Sequence, residues 1–174
     1  MADQNQKLSP EEKQVKAYNR MLERVKTFID EADKEYTPKI QYGIEEAKEK
    51  ATELGELSRE EAEKIGSYLR RDLLDAAQFL ATTDGEFAKW LKFDIELIED
   101  RFAELFPLVA DQTWLELDLL AERARRNGVW HTGEVTGIGS LQCEKCGEAL
   151  HFHKTGHIPP CPKCNGTSFH RLTD

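Results

Sequence analysis

Cys143-Glu144-Lys145-Cys146-Gly147 and Cys161-Pro162-Lys163-Cys164-Asn165-Gly166 are the stretches that decide the reading of this chain. Fourteen residues separate Cys146 from Cys161, so the pattern is C-x2-C-x14-C-x2-C. Two thiolates three positions apart on a tight turn grip one metal ion from the same side. Backbone amides of the turn point at the sulfurs and offset their charge. The residue at or just after the second cysteine often needs a positive φ, and Gly147 and Asn165-Gly166 meet that need. Two such turns complete a tetrahedron. Four thiolates suit Zn²⁺ at about 2.3 Å, and a filled shell marks a structural rather than a catalytic site. The spacing therefore predicts one Zn²⁺ per chain, held by Cys143, Cys146, Cys161 and Cys164. Iron in the same cage is the competing metal, because ligand softness and geometry do not separate the two.

The neighbouring residues read as a β-scaffold for that site. Ala149-Leu150-His151-Phe152-His153 predicts a strand with His151 and His153 on one face. Thr167-Ser168-Phe169-His170-Arg171 predicts the closing strand. Together they describe a zinc ribbon, too small for a core of its own and dependent on metal for much of its folding energy. With four thiolates present, His151, His153, His157 and His170 read as surface histidines rather than a second metal site. Lys145, Lys154, Lys163 and Arg171, with Phe152 and the upstream Arg123, Arg125 and Arg126, form a small candidate nucleic-acid patch, interleaved with glutamates. Residues 128–141, GVWHTGEVTGIGSL, predict a connecting hairpin; the sharper alternative is a docking surface carrying Trp130 and His131.

Upstream of Gly128 the composition changes. Ala, Glu, Lys, Leu and Arg make up about 54% of residues 1–127, the composition of long or coiled-coil helices. Two modules follow: an acidic α-helical region over 1–127, and a Gly-rich hairpin with the ribbon over 128–174. Ser9-Pro10-Glu11-Glu12 is a helix start: cap serine, proline at the first helical position, glutamate three residues after the cap. Val15, Tyr18, Leu22, Val25, Ile29, Ala32 and Tyr36 then follow at alternating spacings of three and four, a heptad seam that a coiled coil could use. Thr37-Pro38 breaks or kinks it, and Ile40, Ile44, Ala47, Ala51 and Leu54 carry it on to Gly55. Ser58-Arg59-Glu60-Glu61 opens a helix lined by Ala62, Ile65, Leu69, Leu73, Ala76 and Leu80. Thr83-Asp84-Gly85-Glu86 opens another, lined by Phe87, Leu91, Ile95, Ile98, Phe102 and Leu105 and ended by Pro107. A last helix over 108–126 stops at Asn127-Gly128. About five helices are expected, packed into a bundle by these stripes.

Several function classes drop out. Residues 1–127 contain no histidine and no cysteine, which excludes both a di-iron Glu-x-x-His bundle site and a histidine general base there. No catalytic residues are assigned, and the expectation is a non-enzymatic protein. The formal net charge of −9 argues against broad binding to nucleic acid or anionic membrane. No apolar run is long enough to span a bilayer, and the N-terminus has no secretory h-region. A cytoplasmic location with reduced cysteines is expected.

Gly128-Val129-Trp130-His131-Thr132-Gly133-Glu134-Val135, with Gly137, Gly139, Leu141 and the Cys143-Cys146 knuckle, resembles the YbeL-like bacterial zinc-ribbon proteins, a family of unknown function. The likeness extends to Gly55-Glu56-Leu57-Ser58-Arg59-Glu60 and Arg70-Arg71-Asp72-Leu73. It implies a helical N-terminal region followed by a C-terminal ribbon with the four cysteines as metal ligands, and it implies no activity. A helical region followed by a CPKCN module also looks superficially like rubrerythrin, but the histidine-free helices remove its di-iron centre. The functional expectation is an adaptor or regulator. Its ribbon presents Trp130, Phe152 and nearby basic residues to a macromolecular partner, and the heptad seam offers a homo-oligomer contact. Rubredoxin-like electron transfer by iron and nucleic-acid recognition are the alternatives.

Overall fold

A computed structural model describes residues 8–31, 40–82 and 128–172. The expected helices over 83–126, the Arg123, Arg125 and Arg126 cluster, the Thr37-Pro38 break and the side chains of Ala32, Tyr36, Ile40 and Leu80 lie outside those residues.

Helix α1 runs Pro10–Glu31, α2 Ile40–Glu53 and α3 Arg59–Thr82. Two reciprocal capping boxes start α1 and α3. The Glu12 N–H donates to Ser9 Oγ at 3.1 Å while the Ser9 N–H donates to Glu12 Oε2 at 2.8 Å. Ser58 and Glu61 repeat the arrangement at 3.2 and 2.8 Å. Helix α2 stops as its sequence predicts. Gly55 takes φ +66°, its N–H bonds the Thr52 carbonyl at 3.0 Å, and the Glu56 N–H bonds that of Ala51 at 2.9 Å.

The apolar stripes pack helix on helix within the chain. Helix α1 buries Ala17, Tyr18, Met21, Leu22 and Val25, a stripe wider than the predicted heptad seam, while Val15 stays partly exposed. Helix α3 buries Ala62, Ile65, Leu69, Leu73 and Ala76 as predicted. Gly43 brings α2 against Phe28 of α1: a Cβ there would lie 2.9 Å from the ring. One expectation fails. Leu54 is 58% exposed, because the Gly55 turn ends the helix first and the chain buries Leu57 instead.

The C-terminal part contains six short strands: β1 Trp130–His131, β2 Val135–Thr136, β3 Gly139–Cys143, β4 Ala149–Phe152, β5 Gly156–His157 and β6 Ser168–Arg171. A four-stranded antiparallel sheet has the order β1-β6-β3-β4, and β2 pairs with β5. Residues 128–141 therefore do not form the expected hairpin. β1 instead crosses to the last strand, and β2 pairs with β5 just before the second knuckle. Val135 and Ile138 join the helical core, whereas Trp130, Leu141, Leu150, Ile158 and Phe169 pack around the cysteines. Among the described residues no helix is long and apolar enough to cross a membrane.

Candidate metal centre and its attachment to the helices

The two knuckles have the same backbone. The Cys143 N–H bonds the Glu148 carbonyl at 2.8 Å, and the Gly147 N–H bonds that of Cys143 at 2.9 Å. Eighteen residues on, Cys161, Asn165 and Gly166 repeat both bonds at 2.9 Å. The matching residues Gly147 and Asn165 take φ +76° and +56°. Asn165 thus supplies the left-handed residue of the second knuckle, and Gly166 has a different task. A Cβ at Gly166 would lie 2.9 Å from Cys143 Sγ and 3.2 Å from Cys164 Sγ, so the missing side chain makes room for two sulfurs.

All four cysteine sulfurs lie within 4.8 Å of one another. Cys143 and Cys164 are separated by 3.6 Å, and Cys146 and Cys161 by 3.5 Å, each pair bridging the two knuckles. A tetrahedron with metal–sulfur bonds of about 2.3 Å has edges of about 3.8 Å, whereas a disulfide needs about 2.05 Å. The donor set fits a thiophilic tetrahedral ion, and the arrangement is that of a metal cage. Burial disfavours the Cys161 thiolate, yet N–H bonds from the Lys163 and Cys164 backbone, with the Cys146 and Cys164 thiols, hold the group down to about 7. At Cys146 the Glu148 N–H favours ionisation, but burial and the three neighbouring thiols outweigh it and push that thiol up to about 12. Backbone amides do point at the sulfurs, and four clustered thiols do not all ionise at neutral pH unless a cation balances them.

Residues 27–173 match the family model described as a zinc-ribbon containing domain. The chain belongs to that family. It is 34% identical over 137 residues to the uncharacterized protein YbeL of Escherichia coli K12, covering 74% of this chain and 79% of that protein. The YbeL proteins of the O6:H1 and O157:H7 strains match to the same extent. No solved structure matches.

In this zinc-ribbon chain one buried carboxylate lies at the junction of the ribbon with the helices. Asp72 of α3 has no exposed surface. Its Oδ2 accepts from the Tyr18 hydroxyl of α1 at 2.7 Å, the Thr136 hydroxyl at 3.1 Å and the Gly137 N–H at 2.7 Å. Its Oδ1 accepts from the Trp130 indole N–H at 2.9 Å, with the Arg171 guanidinium 3.6 Å away. Two guanidinium groups, Arg71 and Arg171, stack on the Trp130 ring, each 4.7 Å from a ring centroid. Arg71 also stacks on Tyr68 at 5.3 Å, pairs with Glu134 and donates to the Val135 carbonyl at 3.3 Å. Arg171 pairs with Asp75 at 2.9 Å. A buried carboxylate is tolerated only with such a shell of donors and cations.

Two predicted contact residues are therefore withdrawn. Trp130 is 1% exposed and its indole faces the helices, so it is not offered to a partner. The Arg171 side chain is 2% exposed and neutralises Asp72 and Asp75, which removes it from the candidate nucleic-acid patch. Of the two residues of the docking reading, Trp130 turns in against the helices and His131 remains exposed. His151 Nδ1 lies 2.7 Å from Ser140 Oγ, and His170 Nε2 lies 3.2 Å from Gln142 Oε1, both on the outer sheet face. The ring nitrogens of His157 lie 3.1 Å from the Gly133 carbonyl and 3.3 Å from that of Glu11. Among the described residues only the four cysteines form a metal-holding group.

Sequence reasoning missed Asp72. The signal was present, since positions 62, 65, 69, 72 and 76 form a strict three-four seam, and an acid on such a seam demands donors.

Proposed function

We propose that this chain is a cytoplasmic, non-enzymatic protein in which one Zn²⁺ per chain fixes the ribbon, and the ribbon serves an adaptor or regulatory role toward a macromolecular partner. The set of four sulfurs carries the reading: all lie within 4.8 Å of one another, enough to fill a tetrahedral shell, and Cys143 and Cys161 are buried. The exposed residues available to a partner include His131, His151 and His170 of the sheet, together with Lys145 and Lys154. The acidic helical region supplies a second contact surface or self-association. Because the α1 stripe is occupied by α2 and α3, self-association uses another face of the helices.

Metal content and the visible spectrum of freshly purified untagged protein test this reading. The expected result is one zinc per chain and no colour. A red protein with one iron per chain, bleached by reductant, would replace it with electron transfer. A Cys161→Ser chain is expected to lose both metal and partner.

A further inference from the structure

We propose that Asp72 is a latch that couples metal binding at the four cysteines to docking of the ribbon on the helices. The inference rests on the zinc reading above and adds a conformational consequence to it.

The physical path is short. Cys143 stands opposite Phe169 in the β3–β6 ladder, and Phe169 stands opposite Trp130 in the β6–β1 ladder. One row across the sheet thus runs from a metal ligand to the indole that donates to Asp72. The next inward-facing residue of β6 is Arg171, which supplies the cation beside the same carboxylate. The Glu144 N–H bonds the Ser168 carbonyl at 3.1 Å, so the first knuckle also sets where β6 begins. Thr136 belongs to β2, whose partner β5 leads through Ile158 into Cys161. The ribbon donors to Asp72 therefore lie on β1 and β2 or, for the Gly137 N–H, on the link from β2 to β3, the strand that carries Cys143.

When the metal leaves, the two knuckles repel or drift, and β6 and β1 lose their register. Asp72 cannot stay dry without those donors. The carboxylate must regain water, and it does so by parting the ribbon from α1 and α3. The face so opened carries Tyr18 and the helical side of the Val135–Ile138 contact. Filled, the site holds the chain closed; emptied, it opens it.

Coupling of this kind is reciprocal. Asp72 touches no cysteine, yet Asp72→Asn must weaken zinc binding. The test is zinc affinity by competition with a chromophoric chelator, on the full chain, with helicity followed by circular dichroism. Asp72→Asn is expected to raise the zinc dissociation constant about tenfold or more. Glu56→Gln, which loosens α1 from the α2–α3 turn away from Asp72, is expected to leave it unchanged. If Asp72→Asn loses its helical signal, Trp130→Phe and Thr136→Val take its place, each with a smaller weakening. In a Trp90→Phe/Trp114→Phe background, the remaining Trp130 should be shielded from a soluble quencher with zinc and exposed after chelation. Zinc affinity within twofold of wild type in helical variants, or an indole shielded in both states, overturns the latch and leaves the zinc reading standing. A wild-type chain that takes up no zinc overturns both.

Discussion

The Trp130 indole N–H donates to Asp72 Oδ1 at 2.9 Å across 58 residues of sequence. That bond joins the first strand of the ribbon sheet to the last described helix. It also brings a ring of high π-density into contact with two guanidinium groups whose charge balances the carboxylate. Hydrogen bonding, cation–π stacking and ion pairing therefore converge on one side chain, so the helical region and the ribbon are held together by polar chemistry as much as by apolar contact.

Removing that carboxylate should be costly. Asp72→Ala leaves Trp130 Nε1, the Tyr18 and Thr136 hydroxyls and the Gly137 N–H without their acceptor, and Arg171 without one of its two carboxylates. A loss of about 3–5 kcal/mol is expected, as for one partner of a buried charged network. Trp130→Phe removes one charge-assisted bond and should cost about 1.5–3 kcal/mol. Urea unfolding of zinc-loaded protein, followed by helical circular dichroism, measures both; equal small losses would mean that the network is hydrated.

Gly166→Ala should damage the metal centre while sparing the helices. Its Cβ would fall 2.9 Å from Cys143 Sγ and 3.2 Å from Cys164 Sγ, and neither sulfur can retreat without leaving the tetrahedron. Gly128→Ala is the control, because nothing lies within 4 Å of its Cβ and its φ is not left-handed. Metal per chain after dialysis against a moderate chelator should fall for Gly166→Ala alone, with the helical signal of both variants unchanged.

The metal cage was legible because the information is local: two knuckles, each six residues long, carry ligands and turn residues together. Helix starts were legible for the same reason, since Ser9 and Ser58 find their partners three residues on. Leu54 was misplaced by extending a stripe past the Gly55 turn that halts it. Residues 128–141 were misread as a hairpin because a two-residue strand shows no alternation, and the partner of β1 lies at the far end of the chain. Trp130 was misread as a contact residue because its acceptor lies in the other half of the chain. What the sequence hid is the long-range polar pairing; what it displayed is local chemistry.

Acid should loosen the helices through Glu56. The Arg24 guanidinium grips this carboxylate with two bonds of 2.9 Å, and Arg20 adds a third at 2.8 Å. The Arg24 hydrogen bonds, opposed by partial burial and aided by both positive charges, hold its pKa below the usual 4.5. A folded-state pKa that is lowered gives stability present above the unfolded value and lost as pH falls through the folded one. Glu56→Gln should therefore cost about 1 kcal/mol at pH 7. The gap from wild type should close as the pH drops below about 4.5. Urea midpoints of both proteins between pH 7 and pH 3 measure it; a gap that stays constant would mean that the Glu56 charge contributes nothing.

Alkali should act through Tyr18. Burial, then the Asp72 negative charge and the hydrogen bond to it, raise the Tyr18 hydroxyl well above the usual 10.0, against the smaller pull of Arg71 and Arg171. The folded chain thus keeps a proton that the unfolded chain releases. The sign is opposite to that of Glu56: the contribution is fully present below the unfolded pKa of about 10 and is lost as pH rises toward the folded value. Titration followed by tyrosinate absorbance should show Tyr18 ionising only together with loss of helical signal. Tyr18→Phe removes the donor to Asp72 and should cost about 1.5–3 kcal/mol at pH 7. It should also flatten the fall in stability above about pH 10, because one proton no longer links unfolding to alkali. If wild type and variant lost stability with the same slope there, the proton released on alkaline unfolding would come from elsewhere, with Tyr68, raised by its own burial and by Glu134, the next group to examine.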